Sequence, residues 1–234
     1  MNSTTRPKRL RVAIDGPAGA GKSTVASRIA REMGYLYLNT GAMYRALAIA
    51  ALDRGISLDD PIALGNMAKS VDLQVREDNG LFRAWVDGVE VTDRLKDPGT
   101  DRAVKVLAMM RPVREVLVNA QRQIAKEGAV VMEGRDIASV VMPDAEVKVF
   151  LTADLCERAR RRWRELREKG IDLQWEEVLE EMEQRDQKDL EREWGRLVQV
   201  EDAHLVDSTH KTIDEVCAEI VALCEAMSAC CTGS

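Results

Sequence analysis

Aromatic side chains make up only 4% of this 234-residue sequence, so its core has to be assembled from Ala, Val, Leu, Ile and Met. There are two histidines, His204 and His210, and neither has the spacing of a metal site. The five cysteines (Cys156, Cys217, Cys224, Cys230, Cys231) form no CxxC pair, which points to reduced thiols in a cytoplasm. No apolar run approaches the ~20 residues needed to cross a bilayer, and the basic start MNSTTRPKRL lacks the apolar stretch of an export signal. A formal charge of -6 argues against broad electrostatic capture of nucleic acid, although clustered arginines can still hold a small anion. What is abundant is 45% hydrophobic and 32% charged residues, enough for a sizeable core under a well-solvated surface. The expectation is one cytoplasmic domain over residues 1–234, monomeric, with no membrane or nucleic-acid partner.

The run from Leu10 to Ile14 is short, β-branched and apolar, and it leads straight into a glycine-rich turn. Val25, Ile29 and Met33 then recur every four residues, with Gly34 placed to end a helix. Further strand-like runs occur at Tyr35 to Leu38, Ala129 to Met132, Val147 to Leu151 and His204 to Val206. Long helical patterns separate them, which predicts an α/β fold: a five-stranded parallel sheet with helices on both faces. Three shorter runs, 72–76, 82–86 and 89–91, are joined by Asn79-Gly80 and Asp87-Gly88, both hairpin dipeptides. They predict a small antiparallel insertion, at about 71–92, within a region spanning 40–128. A helix should begin near Pro61 and others fill about 101–127, with Pro112 in a first turn and Gly128 at an end. Residues 154–195 read as two charged helices joined at 170–174, a helical lid. The last helix opens with a Thr212/Glu215 capping box and carries a core stripe of Ile213, Val216, Ile220, Leu223 and Met227, after which Cys230 to Ser234 should fray.

Gly16, Pro17, Ala18, Gly19, Ala20, Gly21, Lys22 and Ser23 match the eight-position phosphate loop in full, between a predicted strand and a predicted helix. Glycines let backbone N–H groups turn inward around phosphates, and the helix N-terminus adds positive potential. Lys22, on what should be a solvent-facing loop, reaches the β- and γ-phosphates of ATP, the Ser23 hydroxyl ligates Mg²⁺, and Thr24 follows on the same helix end. A chance glycine turn rarely supplies the Lys-Ser pair with both flanking elements.

The loop names the phosphate donor and leaves the acceptor open. Three later runs could select it. Thr40 can cap a helix, and Arg45, one turn beyond Gly41, could reach a phosphate at that helix end. Arg135 and Asp136 directly follow a strand, where open α/β sheets bind ligands, yet they could equally be a structural ion pair. Arg185, Asp189 and Arg192 share one helical face, and a salt-bridge ladder explains them when read alone.

Taken together, these residues resemble the bacterial-type cytidylate kinases over nearly the whole chain. GPAGAGKS at 16–23, NTGAMYRALA at 39–48, PVRE at 112–115, GRDIASVVMPDA at 134–145, RDQKDLER at 185–192 and VDST at 206–209 occur in the family's order. The resemblance implies a P-loop kinase that uses ATP and Mg²⁺ to phosphorylate CMP and dCMP. It implies that Thr40, Tyr44 and Arg45 line the acceptor site, and that Arg45, Arg135 and Arg192 grip the CMP phosphate. By the same resemblance Arg185 and Asp189 contact the ribose, Arg114 and Asp136 the cytosine ring, and the lid supplies Arg158, Arg161 and Arg162, with Arg161 facing ATP. Lys22, Arg135, Asp136 and Arg192 form the catalytic set. Three positions depart from the family pattern: Lys105 stands where many members have a serine that touches the base, Ile137-Ala-Ser139 replaces Ile-Gly-Thr, and Trp194-Gly-Arg196 lacks a proline before Leu197. The rival readings are a P-loop kinase for another small acceptor and a regulatory P-loop NTPase; the second is disfavoured by the absence of an Asn-Lys-x-Asp run.

Overall fold

The computed structural model describes residues 9–78 and 81–232. All five predicted strands are present, with ends shifted by one or two residues: β1 (Arg11–Asp15), β2 (Leu36–Asn39), β6 (Val130–Gly134), β7 (Val147–Thr152) and β8 (His204–Asp207). They pair in parallel in the order β2-β6-β1-β7-β8, so β1 lies at the centre and its register sets Asp15 level with Gly134 on one side and Phe150 on the other. The consecutive strands β6 and β7 lie on opposite sides of β1, which leaves a crevice at the carboxyl ends of the strands.

The smaller sheet is antiparallel, as expected, and consists of β3 (Leu73–Asp78), β4 (Leu81–Val86) and β5 (Val89–Glu90). The Asn79-Gly80 turn falls outside the described residues. The Asp87-Gly88 turn is present, and both of its residues have positive φ (50° and 79°), the hairpin geometry that this dipeptide favours.

Helices α1 (Lys22–Met33), α2 (Thr40–Asp53), α3 (Pro61–Ser70), α4 (Pro98–Leu107), α5 (Arg111–Lys126), α6 (Leu155–Glu168), α7 (Trp175–Glu191) and α8 (Ile213–Thr232) complete the fold. Helix α4 starts earlier than the pattern suggested because Pro98 opens its first turn and a 3-10 turn (Thr92–Lys96) precedes it. The Asp60 side chain accepts from the N–H groups of Ile62 and Ala63 and so starts α3. The capping box of α8 forms as predicted, but its stripe is different. Ile213 is 47% exposed, and the buried positions are Val216, Cys217, Ile220 and Cys224, with Leu223 and Met227 only partly covered. The helix also continues to Thr232 where fraying was expected; residues 233 and 234 lie outside the description.

Alternate residues of the central strands feed two cores. Val12, Ile14 and Val131 face α1 and α8, while Ala13, Val130 and Met132 face α2 and α5. A third, smaller cluster of Ala18, Ala159, Leu166, Val178 and Met182 joins the phosphate loop to α6 and α7. Among the described residues, no helix is long and apolar enough to cross a membrane.

Candidate active site

The chain leaves β1 through Gly16, where a side chain has no room. A Cβ there would lie 1.9 Å from the Leu151 carbonyl oxygen of β7. The loop therefore starts flush against the sheet, and Gly19 and Gly21, at φ +76° and +93°, carry it to the first turn of α1. Lys22 is only 6% exposed, contrary to the solvent-facing position expected, because lid helices α6 and α7 pack over the loop. Its Nζ donates to the Pro17 carbonyl at 2.7 Å. Burial, with the Arg135 guanidinium nearby, pushes the Lys22 ammonium well below its ordinary pKa. Ser23 and Thr24 stay exposed at the helix N-terminus, where they can meet a ligand.

Two elements remote in sequence pin the loop's carbonyls. Arg158 of α6 donates to Ala18 O (3.2 Å) and Ala153 O (2.8 Å), and it pairs with Asp186 of α7 at 2.6 Å. Ser208, after β8, donates to Ala20 O at 3.1 Å, and its own carbonyl and hydroxyl accept from Arg161 at 2.6 and 3.1 Å. Arg161 is thus held beside the phosphate loop. Arg162 instead pairs with Glu165 along its own helix at 3.1 Å.

The predicted acceptor residues converge across the crevice. Asn39, rather than Thr40, caps α2 by accepting from the Ala42 N–H; Thr40 donates its hydroxyl to the Glu133 carbonyl at 2.7 Å, which ties α2 to β6. Arg45 pairs with Asp101 of α4 at 2.7 Å. Arg135 and Asp136 are not paired with each other. Arg135 binds Asp189 at 2.8 Å, and Asp189 also takes Arg192 at 2.7 Å. Arg185 is pushed down to about 10, chiefly by burial and then by repulsion from Arg135. Burial also lowers Arg192, whose Nε is enclosed without a hydrogen-bond acceptor. Arg45, Asp101, Lys105, Arg162, Glu181 and Arg185 line one narrow cavity between α2, α4 and the lid.

Arg114 and Asp136 form a second, buried pair, and the Arg114 guanidinium lies 5.7 Å from the Tyr44 ring centroid. Lys105, at the position where the resemblance places a base-touching residue, does not pair with Asp136. Lys105 is exposed on α4 and faces Glu181 of α7 at 3.8 Å, because Arg114 already occupies the carboxylate.

The sequence does not single out Asp15 or Glu133, and it offers Arg158 only as one of several lid arginines and Ser208 only within the VDST run. Asp15 closes β1, and its two oxygens accept from the Ile137 and Ala138 N–H groups at 2.9 and 2.8 Å. That fixes the π-helical turn Ile137–Val141 and with it the Arg135-Asp136 step just before. Burial raises the Asp15 pKa to about 6. Glu133 lies at the end of β6, where its carboxylate accepts from Tyr37 Oη at 2.9 Å close to Lys22. Its visible signal was an acidic residue ending an apolar strand next to the loop.

A strand, phosphate loop and helix with a buried lysine, facing a bed of arginines under a helical lid, define a P-loop kinase. The sequence pattern of the cytidylate kinase family matches residues 12–226, and the chain belongs to that family. It is 45% identical over 216 residues to a cytidylate kinase of Desulfitobacterium hafniense (strain Y51), covering 92% of this chain and 93% of that one. It is also 45% identical over 212 residues to a cytidylate kinase of Pelotomaculum thermopropionicum, covering 90% and 94%. Among solved structures, an uncharacterized protein from Eubacterium ventriosum shares the fold at TM-score 0.51 and 13% identity, covering 94% of this chain and 99% of that one.

Proposed function

We propose that this protein transfers the γ-phosphoryl group of ATP to CMP and dCMP, giving CDP and dCDP. The observation that carries the reading is the arginine cluster. Among the described residues, the direct ion pairs of Arg45, Arg135, Arg185 and Arg192 go only to Asp101 and Asp189, and burial together with repulsion from Arg135 depresses Arg185 and Arg192. A phosphate dianion among them would offset that repulsion and give the buried Arg192 Nε an acceptor.

In this reading residues 40–128 form the monophosphate-binding region and residues 154–195 the lid. Arg45, Arg135 and Arg192 hold the acceptor phosphate, and Arg185 with Asp189 meets the ribose. Arg114 engages Oδ2 of Asp136, leaving Oδ1 to accept from the cytosine amine. Thr40 and Tyr44 wall the site. The donor phosphates lie along residues 16–24, with Arg161 beside them.

Phosphoryl transfer spreads negative charge over the equatorial oxygens, so the protein acts by positioning and by fixed positive charge, with no covalent intermediate. Lys22, Arg135 and Arg192 neutralise the transferring group, Asp136 orients the acceptor, and the closed lid excludes water that would hydrolyse ATP. The exposed Ser23 hydroxyl and the Glu133 carboxylate are oxygen donors suited to Mg²⁺, which when bound supplies charge neutralisation between the β- and γ-phosphates.

The test is ADP formation with ATP and Mg²⁺ across a panel of nucleoside monophosphates. CMP and dCMP should give turnover well above UMP, AMP and GMP. Arg45→Ala, Arg135→Ala and Arg192→Ala should each raise KM for CMP or lower kcat while ATP affinity stays near that of the parent. Equal use of CMP and UMP, or a collapse of ATP affinity in those variants, would contradict the assignment.

A further inference from the structure

Residues 193–197 leave the end of α7 and turn back against the start of α5. Two contacts hold them there: the Leu197 N–H donates to the Asp189 carbonyl at 2.8 Å, and the Arg111 guanidinium lies 5.1 Å from the Trp194 ring centroid. Between those contacts Gly195 is buried, with φ +71°. A Cβ built on Gly195 would lie 2.2 Å from Nη1, 2.5 Å from Cζ and 2.8 Å from Nη2 of Arg114. Three distances so short and so similar place the guanidinium flat against the glycine α-carbon.

Arg114 has little freedom to retreat. It is 7% exposed, its Nη1 donates to the Ala108 carbonyl at 3.2 Å, and its Nη2 binds Asp136. Swinging the side chain aside breaks the buried pair and strands the Asp136 carboxylate, itself only 7% exposed, which is costly. Moving the loop instead breaks the Leu197 to Asp189 contact, and the Asp189 side chain is what holds Arg135 and Arg192.

We propose that Gly195 is a positioning residue that sets acceptor specificity: the missing side chain admits the Arg114 guanidinium to the plane from which it grips Asp136 and faces the base. The proposal rests on the reading that Arg114 and Asp136 meet the base. It also gives a meaning to the departure at 194–196, where glycine and the Trp194 stack on Arg111 form the wall behind Arg114.

Gly195→Ala and Gly195→Asn test it, each alone and combined with Arg114→Met. Asparagine tolerates a left-handed backbone, so it separates the collision from backbone strain. Both substitutions should raise KM for CMP by about tenfold or more and narrow the CMP/UMP ratio in kcat/KM, as expected for loss of a charged hydrogen bond. The Kd for ATP should not change. In the Arg114→Met background, adding either substitution should alter KM by less than about twofold, because the group it collides with is gone. An unchanged KM in folded Gly195→Asn, or losses that multiply in the double variants, would overturn the role of Gly195. If Arg114→Met itself leaves KM for CMP and the CMP/UMP ratio unchanged, the base assignment of Arg114 fails, and this inference with it.

Discussion

Asp15 and Lys22 are buried charges of opposite sign at the two ends of the phosphate loop, and burial disfavours the charged form of each. Asp15 is raised from an ordinary carboxylate value to about 6, so the folded state binds its proton more tightly than the unfolded chain. The stability it contributes is full at pH below its unfolded value and is lost as pH rises toward 6, in total about 3 kcal/mol. The melting temperature of the parent minus that of Asp15→Asn should therefore fall between pH 4 and pH 6.5; a difference that rises with pH would contradict the assignment. For Lys22→Met the expected outcome is a loss of turnover of about a hundredfold or more, as for other preorganised charge stabilisers. Its melting temperature should be unchanged or higher, since a desolvated cation is removed. The Lys22 position was legible because one continuous octapeptide carries it. The roles of Asp15 and Glu133 were not legible, Glu133 showing only as an acidic strand end, because those roles come from contacts spanning 122 and 96 positions.

Arg158 fastens α6 to the rest of the chain at Ala153 and Ala18, and it ties α6 to α7 through Asp186. Arg158→Met should strand Asp186 and lower amide-exchange protection in α6 and α7 by about tenfold or more, with acceptor-independent ATP hydrolysis rising as the lid opens. Adding Asp186→Asn should restore part of the protection. By contrast, Lys105→Ser removes only an exposed pair with Glu181, so stability should change by less than about 1 kcal/mol in a urea melt. The charge pattern of residues 154–192 announced solvated helices, and Arg160, Arg161 and Arg162 do form partly exposed pairs with Glu157 and Glu165. It could not single out Arg158, since periodicity reports a face and not what packs on it. For the same reason the 3-10 turn before α4 and the π-helical turn after Arg135 were not foreseen, whereas the five core strands, each a short apolar run between turn signals, were.

At the scale of the whole molecule, β1 and β6 alternate residues between the two main cores, so neither core can dissolve while the other stays intact. Calorimetry should give one cooperative transition for the sheet and its helices, with matching calorimetric and van't Hoff enthalpies, and only the lid opening beforehand. The two cysteines that replaced the expected stripe residues of α8 turn this cooperativity into something measurable. Cys217 and Cys224 are buried with their thiols pushed up, Cys224 to about 11, whereas Cys156 at the start of α6 is exposed. At neutral pH the folded chain offers an alkylating reagent almost no thiolate at the two inner positions. In a variant retaining only those two cysteines, the rate of covalent labelling becomes a clock for rare global opening, counting unfolding events under conditions where the protein still turns over substrate.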